Sequence, residues 1–138
     1  MKEIITWDKS LLTVYVEAMD REHEMLIAIM NKLYDRHGAN APAAELARLL
    51  KELGDYTVKH FADEERYMAS IGYAGLDTHK HIHSDLLKTF TKHAEAFAKT
   101  KKLDEDFFLF LKMWLKAHIQ GIDRRYGEPS KTPVAKRA

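Results

Sequence analysis

The fold of this chain depends first on residues 46–71, LARLLKELGDYTVKHFADEERYMASI. Apolar side chains recur there at intervals of three and four, the spacing of one face of an α-helix. The stripe consists of Leu46, Leu49, Leu50, Leu53, Thr57, Phe61, Met68 and Ile71. Gly72 and Gly75 follow it and favour a helix end. The pattern predicts one long helix.

Three further stripes have the same spacing. The first runs over residues 18–36 and is followed by His37 and Gly38; its members are Met19, Leu26, Ile27, Met30, Leu33 and Tyr34. Another precedes the polar break at 99–102 and consists of Ile82, Leu86, Leu87, Phe90, Ala94 and Phe97. The last begins after Asp104, a favourable N-cap residue, and consists of Phe107, Phe110, Leu111, Trp114 and Leu115. No strand pattern competes with these four helices.

Short connections between consecutive helices favour antiparallel neighbours. We therefore predict an all-α fold, an antiparallel up-down-up-down four-helix bundle. Residues 1–17 are too apolar to extend into solvent, so we expect them to pack across the bundle as an N-terminal arm. Residues 1–126 form one domain in this prediction, and residues 127–138, which contain little to bury, form a disordered basic tail.

Composition excludes several classes of protein. The 138 residues are 46% apolar and 31% charged, and no stretch approaches the roughly 20 apolar residues of a membrane helix. The first residues show no signal segment, and the chain has no cysteine, which suggests a cytoplasmic protein and excludes thiolate metal sites. Net charge is +1, with a local charge of +4 in residues 124–138. These cations lack interleaved aromatic residues, so we expect no nucleic-acid binding.

Five of the eight histidines lie on faces that the stripes identify as inward. His60 and Glu64 are four residues apart in the second helix, and His79 and His83 are four apart in the third, so the members of each pair point at one place. His23 lies on the apolar face of the first helix. His118 follows Trp114 by one turn, so every helix contributes an inward imidazole.

Asp123 does not fit this geometry if the fourth helix is regular. It follows His118 by five residues, which is about 140° of rotation in an α-helix. We infer that the helix loosens or ends near Gly121 and lets the Asp123 carboxylate turn back to the core. A straight helix with Asp123 in water would contradict this hypothesis.

Burial of five imidazoles and two carboxylates needs a compensating partner. A single inward histidine is often a hydrogen-bonded core residue, but each uncompensated buried charge would cost several kcal/mol, more than a domain of marginal stability tolerates. Seven ligands exceed the need of one tetrahedral zinc, whereas two octahedral ions bridged by two carboxylates and a solvent-derived group would use all of them and keep one position open. The pattern therefore predicts two first-row metal ions.

Other residues of suitable type are not proposed as ligands. His37 suits a helix end, and His81 and His93 lie off the inward face. Four methionines are interpreted as core residues and not as thioether ligands: Met19, Met30, Met68 and Met113.

The spacing of the seven candidate ligands resembles that of hemerythrin, and specifically of the single-domain bacterial form. The pattern is His23, His60-x-x-x-Glu64, His79-x-x-x-His83 and His118-x-x-x-x-Asp123. The resemblance covers roughly residues 4 to 126. Glu22 is a departure, because many relatives have glutamine before the first histidine.

The resemblance implies two non-heme iron ions with an oxo or hydroxo bridge. One iron takes His79, His83 and His118; the other takes His23 and His60 and binds O2 reversibly as a hydroperoxide, with Glu64 and Asp123 bridging. It also implies an apolar O2 pocket, formed by Leu26, Phe61, Trp114 and Ile119. The function expected is oxygen transport, storage or delivery, without catalysis.

Two alternatives stay open. A di-iron oxidase or peroxidase of the ferritin-like type is less favoured, because those enzymes use Glu-x-x-His motifs and this chain contains none. An oxygen or redox sensor would signal through the arm or the tail to a protein partner, but the tail is too short to be an output domain.

Overall fold

Six α-helices and one π-helical turn make up the secondary structure of residues 3–131, which are the residues described by the computed structural model. In chain order they are α1 (Lys9–Leu12), α2 (Glu17–Gly38), α3 (Ala43–Ser70), α4 (Leu76–Thr100), α5 (Glu105–His118), the π-helical turn Ile119–Asp123 and α6 (Arg124–Lys131). Within this range the chain forms no strand, and no helix is long and apolar enough to cross a membrane.

Helices α2 to α5 form an antiparallel four-helix bundle, as predicted. The end of α2 meets the start of α3 through the Arg36–Glu45 ion pair, and the end of α3 meets the start of α4 where His83 contacts Glu65. Contacts that close the other two sides are Phe90 on Phe107, between α4 and α5, and Tyr34 on Phe108, between α2 and α5.

Local sequence explains where the helices begin and end. The Asp104 carboxylate accepts a hydrogen bond from the Phe107 backbone N–H at 2.9 Å, so it caps α5 as predicted. Helix α4 ends at Thr100, and the next residue, Lys101, has a left-handed φ of 62°. Gly72 follows α3 with a φ of 63°, a conformation that costs glycine little. The connections are short, which keeps consecutive helices adjacent.

The N-terminal arm packs on the bundle through buried apolar residues and one polar anchor. Ile5, Leu12 and Val14 are buried. Asn31 Oδ1 accepts hydrogen bonds from the backbone of Ile4 and Ile5 at 2.8 and 3.1 Å, and Asn31 Nδ2 donates to the Ile5 carbonyl at 2.8 Å. This side chain therefore satisfies the backbone of an arm that has no strand partner.

The start of the expected disordered tail differs from the structure. We predicted disorder from residue 127, but α6 continues to Lys131. Tyr126 is fully buried, and Gly127 lies so close to the arm that a Cβ atom would sit 1.5 Å from the Val14 carbonyl oxygen. These contacts hold the first turn of α6 on the bundle. The remainder of the predicted tail, 132–138, lies outside the described residues.

One methionine does not belong to the core. Met19, Met30 and Met68 are buried as predicted, but Met113 on α5 is 61% exposed, so its interpretation as a core residue was wrong. It faces away from Trp114 and Leu115, which take the inward positions of that turn. Composition alone does not distinguish these two faces.

Candidate metal centre

The seven predicted ligands lie together at one end of the bundle, and all are buried. They form two groups whose ligand atoms lie within 4.8 Å of one another. One group contains His79, His83 and His118, the other contains His23 and His60, and Glu64 and Asp123 belong to both. Two carboxylates shared between two histidine clusters are the arrangement that two bridged ions require.

Separations between these atoms fit metal coordination. Two ligands at right angles, each about 2.1 Å from one first-row ion, lie about 3.0 Å apart. Asp123 Oδ1 is 2.9 Å from His79 Nε2 and 2.8 Å from His118 Nε2, while Asp123 Oδ2 is 3.1 Å from His23 Nε2. The two oxygens of Asp123 thus face different histidine groups.

Glu64 spans the same two groups from α3. Its Oε1 lies 3.0 Å from His83 Nε2 and 3.5 Å from His60 Nε2, and its Oε2 lies 3.4 Å from His23 Nε2. Because Glu64 comes from α3 and Asp123 from the end of the fourth bundle helix, the two carboxylates approach from different helices.

The π-helical turn Ile119–Asp123 explains how Asp123 reaches the site. Hydrogen bonds from i to i+5 place residues five apart nearly one above the other, which a regular α-helix does not do. Asp123 is accordingly buried beneath His118. The loosening that we inferred near Gly121 is confirmed, and the helix continues beyond it as α6.

Several polar atoms of the cluster lack a hydrogen-bond partner. Among the described residues these include His23 Nε2, Glu64 Oε1, His83 Nε2 and both oxygens of Asp123. Buried polar atoms are nearly always satisfied, and these atoms all point at one another across a small space. Neutral nitrogen and ionised oxygen ligands around such a space suit divalent or trivalent first-row ions.

The close approach of these buried groups shifts the pKa values of several of them. Burial opposes ionisation of Glu64, as does Asp123, but the facing histidines outweigh both and lower the pKa of Glu64 to about 2. The pKa of Asp123 is held well below its usual range against burial, chiefly by His118. Burial alone would lower the pKa of His23, yet the two carboxylates raise it to about 10. In the absence of metal, a proton on His23 takes the place of a cation.

Two acidic residues fix the orientation of ligand histidines from behind. Glu22 Oε1 lies 2.7 Å from His60 Nδ1, and Glu65 Oε2 lies 2.9 Å from His83 Nδ1. An ionised carboxylate only accepts, so the proton lies on Nδ1 in each ring, and Nε2 is free to face the site.

Tyr126 contributes a direct contact to a shared carboxylate. Its hydroxyl donates to Glu64 Oε2 at 2.6 Å. Burial, reinforced by Glu64, raises the pKa of the Tyr126 phenol, so the proton stays on Oη and this oxygen of Glu64 keeps a donor.

Sequence reasoning did not find Glu22, Glu65 or Tyr126 as functional residues. The first two directly precede His23 and directly follow Glu64, so adjacency to ligands was an available signal. Tyr126 follows Asp123 by three residues, but its inward position depends on α6, a helix that the sequence analysis did not predict.

The four residues predicted to line an O2 pocket are all buried. The Phe61 ring stacks on His83 with centroids 3.8 Å apart and contacts Trp114 edge-on at 5.9 Å. Leu26 lies one turn after His23 on α2, and Ile119 directly follows His118. The wall of the site is therefore apolar on several sides.

Comparisons with known proteins agree with this geometry. Residues 14–128 match the family model of the hemerythrin HHE cation binding domain. A myohemerythrin of Riftia pachyptila is 38% identical over 120 residues, covering 87% of this chain and 88% of its own length. A bacteriohemerythrin of Methylococcus capsulatus is 31% identical over 125 residues, covering 90% and 95%.

Solved structures show the same architecture. The crystal structure of a wild-type hemerythrin superposes with a TM-score of 0.83 at 30% identity, covering 90% of this chain and 95% of that one. A mutant hemerythrin structure gives a TM-score of 0.85 at 29% identity. Together with the match to the family model, these relatives show that the chain belongs to the hemerythrin family.

Proposed function

We propose that this protein is a non-heme di-iron protein that binds O2 reversibly and serves its transport, storage or delivery. The supporting observation is the pair of histidine groups that share Glu64 and Asp123. A group of three histidines and a group of two leave the second ion with fewer protein ligands, and a position for a small ligand follows from this difference.

The ligand assignment belongs to the proposal. His79, His83 and His118 would hold one iron, His23 and His60 would hold the other, and both ions would share Glu64 and Asp123. Bound iron would supply, as two Fe(II) ions, the two electrons that reversible O2 binding requires. The chain contributes fixed geometry, because Glu22 and Glu65 hold His60 and His83 in the tautomer with Nε2 free.

Exclusion of water is the second contribution of the chain. Leu26, Phe61, Trp114 and Ile119 offer apolar surface beside the ligands, so a small neutral gas enters more readily than ions or water. Tyr126 keeps its proton on Oη and shares it with Glu64, and thereby restrains this carboxylate. These residues favour a reversible process over loss of a reduced oxygen species to solvent.

We favour O2 binding without catalysis as the function of this site. The described site offers histidines and two shared carboxylates as ligands. The other two acids that contact these ligands, Glu22 and Glu65, each accept a hydrogen bond from a ligand histidine, so neither is free to act as an acid or base. A redox sensor and a weak oxidase or peroxidase are the competing functions. Steady turnover of peroxide with a reductant would favour the latter.

Absorption spectra of iron-quantified protein test the proposal. Spectra are recorded anaerobically after reduction, again with O2, and once more after its removal; we expect two irons per chain and visible bands that appear with O2 and disappear without it. His79→Gln should lose iron and the bands, whereas His93→Gln, a substitution of a histidine that stacks on Phe110 away from the ligands, should retain both. Irreversible conversion to the diferric form would contradict the carrier function.

A further inference from the structure

One ligand histidine is connected to the protein surface by a single hydrogen bond. The His83 side chain is 2% exposed, and its Nδ1 donates to Glu65, whose side chain is 28% exposed. Glu65 and the edge of His83 line a groove of about 650 Å³ between α3 and α4. The groove therefore reaches from solvent to a residue that contacts the candidate metal centre.

Lysines follow this groove along α4. Lys80, Lys88 and Lys92 are exposed and line it, together with Ser84 and Thr91. Their spacing of eight and four residues places them along one side of the helix. Among the residues whose side chains the structure describes, no carboxylate oxygen lies within ion-pair distance of these three amines.

The other outward-facing ligand histidine has a different environment. Behind His60, Glu22 and Asp63 lie 3.4 and 2.8 Å from Lys59 Nζ, so the cation there is already paired. Arg66 is paired with Asp63 as well. The surface near His83 therefore carries three lysines without a carboxylate partner, whereas Lys59 and Arg66 near His60 are both paired.

We propose that the groove at Glu65 is the docking surface of an acidic one-electron carrier protein that reduces the diferric centre. This inference rests on the proposed function, because only the diferrous form has the two electrons that O2 requires. Two successive encounters supply them: each reduced carrier gives one electron and leaves oxidised, and one Fe(III) becomes Fe(II) each time. Glu65 and His83 form a hydrogen-bonded connection from the groove to the candidate metal centre.

Electrostatic steering explains why the carrier is acidic. A row of cations beside a shallow groove raises the encounter rate with a negatively charged partner by about 10- to 1000-fold, and the effect weakens as salt screens the charges. Glu65 and Glu95 in the same groove restrict where a partner's carboxylates fit, which gives the encounter an orientation.

Stopped-flow reduction of the diferric protein by a reduced plant-type [2Fe–2S] ferredoxin, an acidic carrier, tests the proposal. We expect the second-order rate to fall at least about tenfold between low and high salt, and K80E/K88E/K92E to lower it by a similar factor at low salt. The matched control K32E/K112E/K116E makes the same change in net charge at exposed positions of α2 and α5, outside the groove, and should stay within about twofold of wild type.

Binding is measured separately by calorimetry with oxidised ferredoxin and the diferric protein. The groove variant should lose binding and the control should keep it, while Glu65→Ala should keep binding and slow reduction at saturating ferredoxin. Equal slowing in both triple variants, or wild-type binding by the groove variant, would overturn the docking surface. O2-dependent spectra of the same variants distinguish this failure from failure of the proposed function, which would abolish the reversible bands in every protein, wild type included.

Discussion

Tyr126 shows what a single hydroxyl does for a buried carboxylate. It donates to Glu64 Oε2 at 2.6 Å, and His23 Nε2, which lies 3.4 Å from the same oxygen, is too distant to replace that donor. Tyr126→Phe should therefore destabilise the protein by about 1–3 kcal/mol, the cost of an unsatisfied buried acceptor. Urea unfolding measures the change. Tyr67→Phe is the control, because that ring packs on Tyr126 and its hydroxyl lies outside the contacts to Glu64; equal losses would refute the role of the hydrogen bond.

Asp123 tests the shared carboxylate at the same scale. Its two oxygens face different histidine groups, so Asp123→Asn keeps the shape but removes the charge and one of the two acceptor oxygens. We expect less than two irons per chain after reconstitution, measured by elemental analysis of desalted protein. Asp85→Asn, a substitution at an exposed position of α4, should leave the stoichiometry unchanged. A full complement of iron in the Asp123 variant would argue against a bridging role.

The packing of α6 against the N-terminal arm should hold both of these segments on the bundle. A Cβ atom at Gly127 would lie 1.5 Å from the Val14 carbonyl oxygen, and neither backbone can yield without a shift. Gly127→Ala should cost at least about 2 kcal/mol and expose residues near 14 to proteolysis and hydrogen exchange. Gly121→Ala is the matched control, since a Cβ there meets nothing within 4 Å. If both alanines left protection of the arm unchanged, the close contact would have no structural role.

The sequence was most informative where periodicity repeats over many residues. Four stripes predicted four helices, and the i,i+4 pairs His60–Glu64 and His79–His83 were placed on inward faces, because long helices average out local exceptions. Single-residue exceptions were harder. The five-residue spacing of His118 and Asp123 indicated an irregularity but not its form, since a π-helical turn depends on tertiary contacts. The inward position of Tyr126 was missed for the same reason. The exposure of Met113 was missed because the residue type alone does not show which face of a helix a methionine occupies.

The buried histidines and carboxylates are concentrated at one end of the bundle, so the thermal stability of the whole molecule should depend on bound metal. Ions that bind only the folded chain stabilise it by about 4 kcal/mol at a free concentration 1,000-fold above Kd. Removal of iron by a chelator should therefore lower the melting temperature, and re-addition of Fe(II) should restore it, as followed by circular dichroism at 222 nm. An unchanged melting temperature with iron fully removed would show that the bundle is stable without the centre.

The pH dependence of the iron-free molecule follows from the same cluster. Glu64 and Asp123 have lowered pKa values, so their stabilisation is present above their unfolded values near 4 and is lost as pH falls through the folded ones. His23 has the opposite sign: its pKa rises from 6.5 to about 10, so its stabilisation is complete below 6.5 and is lost as pH rises towards 10.

The iron-free protein should therefore be most stable between about pH 4.5 and 6.5 and weaken steadily on the alkaline side. Urea unfolding at a series of pH values measures this. Iron replaces the His23 proton, so the loaded protein should lack the alkaline decline, and Fe(II) binding at pH 7 should release a proton that a weakly buffered titration detects. His23→Gln removes the group and should flatten the alkaline limb of the iron-free protein. Stability that stays level from pH 6.5 to 9 in the iron-free wild type would show that His23 is not protonated between the two carboxylates.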